Sequence, residues 1–456
     1  MSTTTDPIAA PRLGYPMRIV FDPELAGEVL VADAASYTRP WLVTSTMRDG
    51  LGRTLFTATG AGALAQRRLL APVFARAHGD ELAGLMSATI DDELARWPAG
   101  PIADLQGPLT DLTLRVAARA LLGVDTGDDD RGRRLRDEFS IVIEWINHRF
   151  NRLFSPPAIV PTPRNRAMLR ARSELRTIVH RVIADRRATK ASSMDVLALL
   201  LDHQARTGDL SDDHIVNECI GFLFAGHETT ASTLAWALYS LAVAPEMQQR
   251  VAAEGDALQG RPSAAAVDAL HYTGQVVEET LRLYPAGVGI ARMARCATTL
   301  AGQRIRRGTI VAIPVYSIQR DPRRWTAPDT FDPDRFRAGA VSPRGGHLPF
   351  GWGPRACLGA RFATMEARLA LTMITARWRV TFTGERAPEQ KISSHSGWPT
   401  AFRSILKSAP RQGQAPVRIP HGGGHDGGSV RLGHHPAPHA GNAEGLRARL
   451  AAGTTS

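Results

Sequence analysis

The stretch FGWGPRACLG, Phe350 to Gly359, holds one cysteine among three glycines, with an arginine two residues before it. Such a loop has two readings. The commoner is a structural cysteine, which packs as a small hydrophobe. The other is a ligand: glycines let the backbone turn tightly and approach a bound group, and a helix starting just after the loop stabilises a thiolate with its positive end. Residues 360–376, ARFATMEARLALTMITA, read as that helix.

A thiolate that ligates an iron porphyrin needs an exposed sulfur beneath the ring, backbone N–H groups close to it, and positive charge for the propionates. Cys357 provides the sulfur and Phe350 can shield it. Arg355 can pair with a carboxylate, and Gly351, Gly353 and Gly359 permit the close backbone. The spacing Phe-x-x-Gly-x-Arg-x-Cys-x-Gly, as Phe350, Gly353, Arg355, Cys357 and Gly359, resembles the haem-binding signature of the cytochrome P-450 family and favours the ligand reading.

That resemblance implies a mainly α fold with small β-sheets, in which haem lies between a long distal helix and a proximal loop carrying the cysteine ligand. FAGHETT, Phe224 to Thr230, is similar to the family's distal motif. Ser211 with Asp212 and Asp213 supplies an N-cap and acidic first turn, so a helix of about 50 Å is expected from there to Val243. By resemblance, Ala225 and Gly226 leave room for dioxygen, Thr229 hydrogen-bonds it, and Glu228 relays protons. The plain alternative is a threonine satisfying its own helix carbonyl beside a solvated glutamate. EETLRLYP and FDPDRF contribute Glu279, Arg282 and Arg335, which resemble the family's buried structural Glu-Arg-Arg network. Arg292 and Arg67 are propionate partners by position. Arg67 reads equally well as a solvated helix residue, because the aromatic or histidine usual four residues earlier is Ala63.

Composition agrees with an enzyme more than with a nucleic-acid or membrane binder. The net charge is +11, but Lys190, Lys391 and Lys407 are the only lysines and no block of five or six like charges occurs. Cys219, Cys296 and Cys357 fit neither a zinc site nor a CxxC motif, and the N-terminus lacks the pattern of an export signal. A cytoplasmic protein is expected. The apolar run Cys219–Val243 approaches the length of a bilayer span, but His227 and Glu228 in its middle favour a buried helix. Helical spacing dominates residues 63–201, as at Leu85, Ile90, Leu94 and Trp97. Strands are expected near Arg18 (RIVF), from Thr309 (TIVAIPVY) and from Arg379 (RVTFT). One catalytic domain is expected over 1–408, with its proline-rich N-terminal lead shortened. Residues 409–456, rich in Gly, Pro and His, read as a disordered tail whose His421, His425, His434, His435 and His439 are either low-complexity or metal-binding.

The resemblance implies a monomeric monooxygenase using haem b and O2. Its electrons would pass from NAD(P)H through an external ferredoxin and ferredoxin reductase, since the chain has no flavin, nicotinamide or iron–sulfur motif. Arg344, Arg355 and Arg361 are candidates for the docking face. Segments 41–55, 286–290 and 397–400 are expected to line a pocket for a hydrophobic molecule such as a terpene or polyketide. Two alternatives remain from the sequence: a peroxide-driven variant, and a haem-free accessory protein, which would have no use for Cys357.

Overall fold

A computed structural model describes residues 8–9, 16–98, 105–127, 130–150, 152, 155–189, 195–255, 258, 260, 262–340, 345–382 and 404–408. The expected tail, pocket segment 397–400 and Arg344 fall outside them. The helices are α1 (Pro23–Gly27), α2 (Trp41–Leu51), α3 (Gly60–Leu70), α4 (Gly79–Leu94), α5 (Gln106–Leu122), α6 (Asp130–Phe150), α7 (Pro163–Thr189), α8 (Val196–Thr207), α9 (Asp212–Ala242), α10 (Pro245–Glu254), α11 (Ala264–Asp268), α12 (His271–Leu283), α13 (Val315–Ile318) and α14 (Ala360–Arg377). The strands are β1 (Ile8–Ala9), β2 (Met17–Val20), β3 (Tyr37–Thr38), β4 (Ile290–Ala294), β5 (Thr298–Leu300), β6 (Gln303–Ile305), β7 (Ile310–Ile313), β8 (Trp378–Phe382) and β9 (Ser404–Ser408).

The helices share one apolar core, and a second core lies over the sheet β1-β2-β7-β4-β3. In that sheet β2 runs parallel to β7 and β4 antiparallel to it, with Arg292 opposite Val311. The three strands read from sequence form at β2, β7 and β8. The second ends sooner than its apolar pattern, because Pro314 donates no ladder bond and the chain turns into α13.

Helix α9 begins where its capping residues put it: the Ser211 hydroxyl accepts the His214 N–H at 3.2 Å. Its middle lies against α5, and Gly226 is the reason the two helices come so close. A Cβ there would sit 3.2 Å from that of Ala117. Thr113 of α5 donates to the His227 carbonyl at 3.0 Å, and His227 is buried with Nδ1 2.7 Å from the Leu223 carbonyl. Burial pushes its pKa down to about 4, so the ring is neutral. No helix among the described residues is long and apolar enough to cross a membrane.

Glu279 and Arg282 form a fully buried pair, with Nε–Oε2 at 2.6 Å and Nη2–Oε1 at 2.8 Å. Arg282 gives its remaining donors to the carbonyls of Gln319, Pro328 and Thr330, and Arg335 Nε lies 3.4 Å from Glu279 Oε1. Gln319 carries the brace onward: its amide nitrogen donates to the Leu281 and Arg282 carbonyls, and its oxygen accepts the Leu348 N–H at 2.7 Å, just ahead of the cysteine loop. A buried charge left without its partner costs about 3–5 kcal/mol. Arg282→Leu should therefore lower the free energy of unfolding, read from urea denaturation, by about that much and give little soluble protein; an unchanged value would remove the brace from this account.

Candidate active site

The cysteine loop is held by its own backbone. Cys357 N–H donates to the Phe350 carbonyl at 2.8 Å, Ala356 N–H to Gly353 at 3.0 Å and Gly351 N–H to Leu348 at 3.0 Å. Gly351 and Gly353 have φ of +71° and +74°, and a Cβ at Gly353 would collide with the Leu30 carbonyl oxygen. Only glycine meets both demands there. Helix α14 starts three residues after Cys357.

The Cys357 side chain has open surface, yet protein surrounds it closely enough that burial raises its pKa, against the opposing effects of the Gly359 N–H and of Arg67. The sulfur therefore lines a hollow within the protein rather than its outer surface. Thr229 gives the same signature from the opposite element. It is exposed in the middle of the longest helix, where Glu228 and Thr230 on either side are buried. Its hydroxyl donates to the Ala225 carbonyl at 2.8 Å, which leaves the oxygen's lone pairs free to accept. Glu228 is buried, not solvated. Ala225 and Gly226 are part-exposed, but the missing Cβ of Gly226 points at α5, so helix packing already accounts for that glycine.

Three phenyl rings connect the two sides. Phe74 stacks on Phe222 of α9 with centroids 5.8 Å apart, meets Phe362 of α14 edge-on at 6.2 Å, and lies against Gly359. Ile290, at the end of the 286–290 segment, reaches Gly351 from β4. Trp41 and Leu42, expected in the pocket, are exposed on the first turn of α2. Glu366 of α14 is fully buried, and burial holds its carboxyl well above the usual range against the opposing effect of the Thr230 hydroxyl.

Arg39, Arg67, Arg292 and Arg355 gather at this hollow. Burial, then Arg355, Arg292 and Arg67, push the pKa of Arg39 down to about 9; burial, then Arg355, push that of Arg292 down to about 10. Arg355 is lowered by burial and then by Arg67. Their contacts are all with carbonyls: Arg39 with Leu55 (3.1 Å) and Phe56, Arg292 with Ala291 (3.0 Å), Arg355 with Ala58 (3.3 Å). None of the four forms an ion pair among the described residues. Arg67, on α3, lies near Arg39, Arg355 and Cys357.

Two of the arginines expected at the docking face are described. Arg355 points inward with its guanidinium on Ala58, and Arg361 is paired with Asp268 at 3.3 Å. Arg39 went unread in the sequence, since TRPW has no spacing that marks it; its one signal is a charge inside the apolar run 37–43.

Buried like charges without counter-ions are costly unless an anion joins them. A planar ligand with two carboxylates and a thiolate-binding metal satisfies both the quartet and Cys357, so these residues fit haem. The cytochrome P450 family model, here cytochrome P-450, matches residues 6–401. The chain is 35% identical over 348 residues to cyclooctat-9-en-7-ol 5-monooxygenase of Streptomyces melanosporofaciens, covering 73% of this chain and 74% of that one. It is 33% identical over 370 residues to pentalenene oxygenase of Streptomyces avermitilis, covering 79% and 80%. The solved structure of retinoic acid bound cyanobacterial CYP120A1 superposes with a TM-score of 0.77 at 25% identity, over 88% of this chain and 92% of that one. The sequence match, the helical architecture and the hollow agree: this chain belongs to the cytochrome P-450 family and is a haem- and O2-dependent monooxygenase.

Proposed function

We propose that the chain holds haem b with Cys357 as its axial ligand and hydroxylates or otherwise oxygenates a terpene-like hydrocarbon. The observation that carries this reading is the arginine quartet, without counter-ions among the described residues, facing the hollow that Cys357 lines. Arg39, Arg67, Arg292 and Arg355 would neutralise the two haem carboxylates, and Phe350 would shield the sulfur. Haem, when bound, would supply the oxygen-activating redox chemistry, and a thiolate from Cys357 would donate electron density to it.

The chain's own residues bind, exclude water and move protons. Helix-packed phenyl rings at Phe74, Phe222 and Phe362 keep one flank dry. Thr229, with its hydrogen already given to Ala225, accepts a hydrogen bond from a water or hydroxyl in the hollow, and the buried Glu228 passes protons toward it. Electrons arrive from NAD(P)H by way of a ferredoxin and its reductase. The terpene-like substrate class is supported by the names of the Streptomyces relatives and by the apolar lining; Ala225 and Ile290 offer such a molecule no polar partner.

Reduced protein under carbon monoxide tests the ligand. The wild type should give the long-wavelength thiolate band and Cys357→Ser should lose it; a serine variant that keeps the band would refute the assignment. Proton handling has its own readout. Thr229→Val should lower product formation by about 100-fold while oxygen consumption continues as released peroxide and water, measured as product formed per NADPH. Unchanged coupling would remove Thr229 from proton delivery.

A further inference from the structure

Glu218 lies on α9 eleven residues before Thr229, on the stripe Glu218, Phe222, Ala225 and Thr229 that successive turns align. It is 1% exposed. Oε2 accepts the Leu55 N–H at 3.2 Å, and Oε1 accepts from the Gln66 amide. The same Gln66 nitrogen lies 3.1 Å from His214 Nε2, whose ring accepts the amide's other hydrogen. Among the described residues only His214 comes within ion-pairing distance, 3.8 Å, and burial keeps its pKa below the usual value, so it offers no charge near neutrality.

Leu55 belongs to the segment 52–59 between α2 and α3, which α9 grips at three points. Besides Glu218, Gly221 packs on Thr54, where a Cβ would be 3.0 Å from that side chain. Gly52, at φ +90°, lies so tightly on Asn217 that a Cβ would collide with its amide. The other edge of the segment faces the quartet. Leu55 and Phe56 give their carbonyls to Arg39, and Ala58 gives its own to Arg355. One short loop thus connects the distal helix to two of the four cations.

We propose that Glu218 is a positioning residue which ties segment 52–59 to α9, setting Arg39 and Arg355 and closing the hollow, and which releases that segment when its carboxyl ionises. The proposal rests on the haem reading of the quartet. Burial pushes the carboxyl up to about 8, with the Leu55 and Gln66 donors acting against it. The groups around it do not mask its titration. On α9, His214 is neutral and burial keeps the Cys219 thiol protonated. From α7, Arg176 is committed to Asn217 and Asp213, and Arg186 to Asp195. Gln66 of α3 is uncharged, with Arg67 next to it in the quartet, Arg53 of the segment is exposed, and Arg39 lies beyond the loop carbonyls.

The sign follows from linkage. A carboxyl whose pKa in the closed form is raised from 4.5 to about 8 holds the segment fully below 4.5, and loses that hold as pH rises to about 8. Hydrogen exchange of the 52–59 peptide in the protein as purified from haem-replete cells, corrected for intrinsic rates, reads this directly. Protection should fall by up to about tenfold per pH unit between roughly pH 5.5 and 7.5 and level off above about 8. Glu218→Gln, which cannot ionise, should give a flat profile. Gln66→Leu should weaken protection while keeping the slope. A flat wild-type profile, or a Glu218→Gln profile that slopes like the wild type, would overturn the proposal. Haem content of the same samples reads the quartet separately, so a protein without haem whose 52–59 profile still slopes would sink the haem reading and not the latch.

Discussion

Four arginines that face one another across a hollow, with no ion-pair partner among the described residues, are the constraint on which the site depends. Burial and mutual repulsion lower the pKa of Arg39 and Arg292 to about 9 and 10, so the arrangement stores unfavourable energy that an anion relieves. Each cation comes from a different element. Arg39 follows β3, Arg67 lies on α3, Arg292 on β4 and Arg355 in the cysteine loop. Parts this far apart in the sequence converge only when the sheet, α3 and the loop are all in place, so anion binding and completion of the fold are coupled.

The rest of the molecule explains why that convergence is reproducible. The Glu279–Arg282 brace reaches Leu348 through Gln319, fixing the start of the loop whose Gly353 lies on the Leu30 carbonyl. On the other side Gly226 lets α9 close on α5, and this fixes the turn of the helix that carries Thr229. Phe74 spans the two. Polar groups do the aiming and apolar contact sets the spacing.

Much of this was legible in the sequence where chemistry depends on near neighbours. The cysteine loop, the capped helix at Ser211 and the Glu279–Arg282 pair are local patterns of turn, cap and helix face, and each formed where it was read. What stayed hidden depends on contacts between distant segments. Arg39 acquires its meaning only beside Arg355, Gln66 and Glu218 meet across 152 residues, and Arg355 turns inward because Ala58 receives it. The short strands β3 to β6 were missed for a similar reason, since two- to five-residue strands take their shape from their partners more than from their own alternation.

The central claim is that the quartet exists to receive two carboxylates above a sulfur ligand. Titrating the apoprotein with haem b and, separately, with its dimethyl ester, in which both carboxylates are uncharged, measures that claim by itself. Charge-assisted hydrogen bonds of ordinary strength predict that haem b binds at least about 100-fold tighter than the ester, and that the gap narrows sharply in Arg39→Met. Equal affinities for the two would contradict the account.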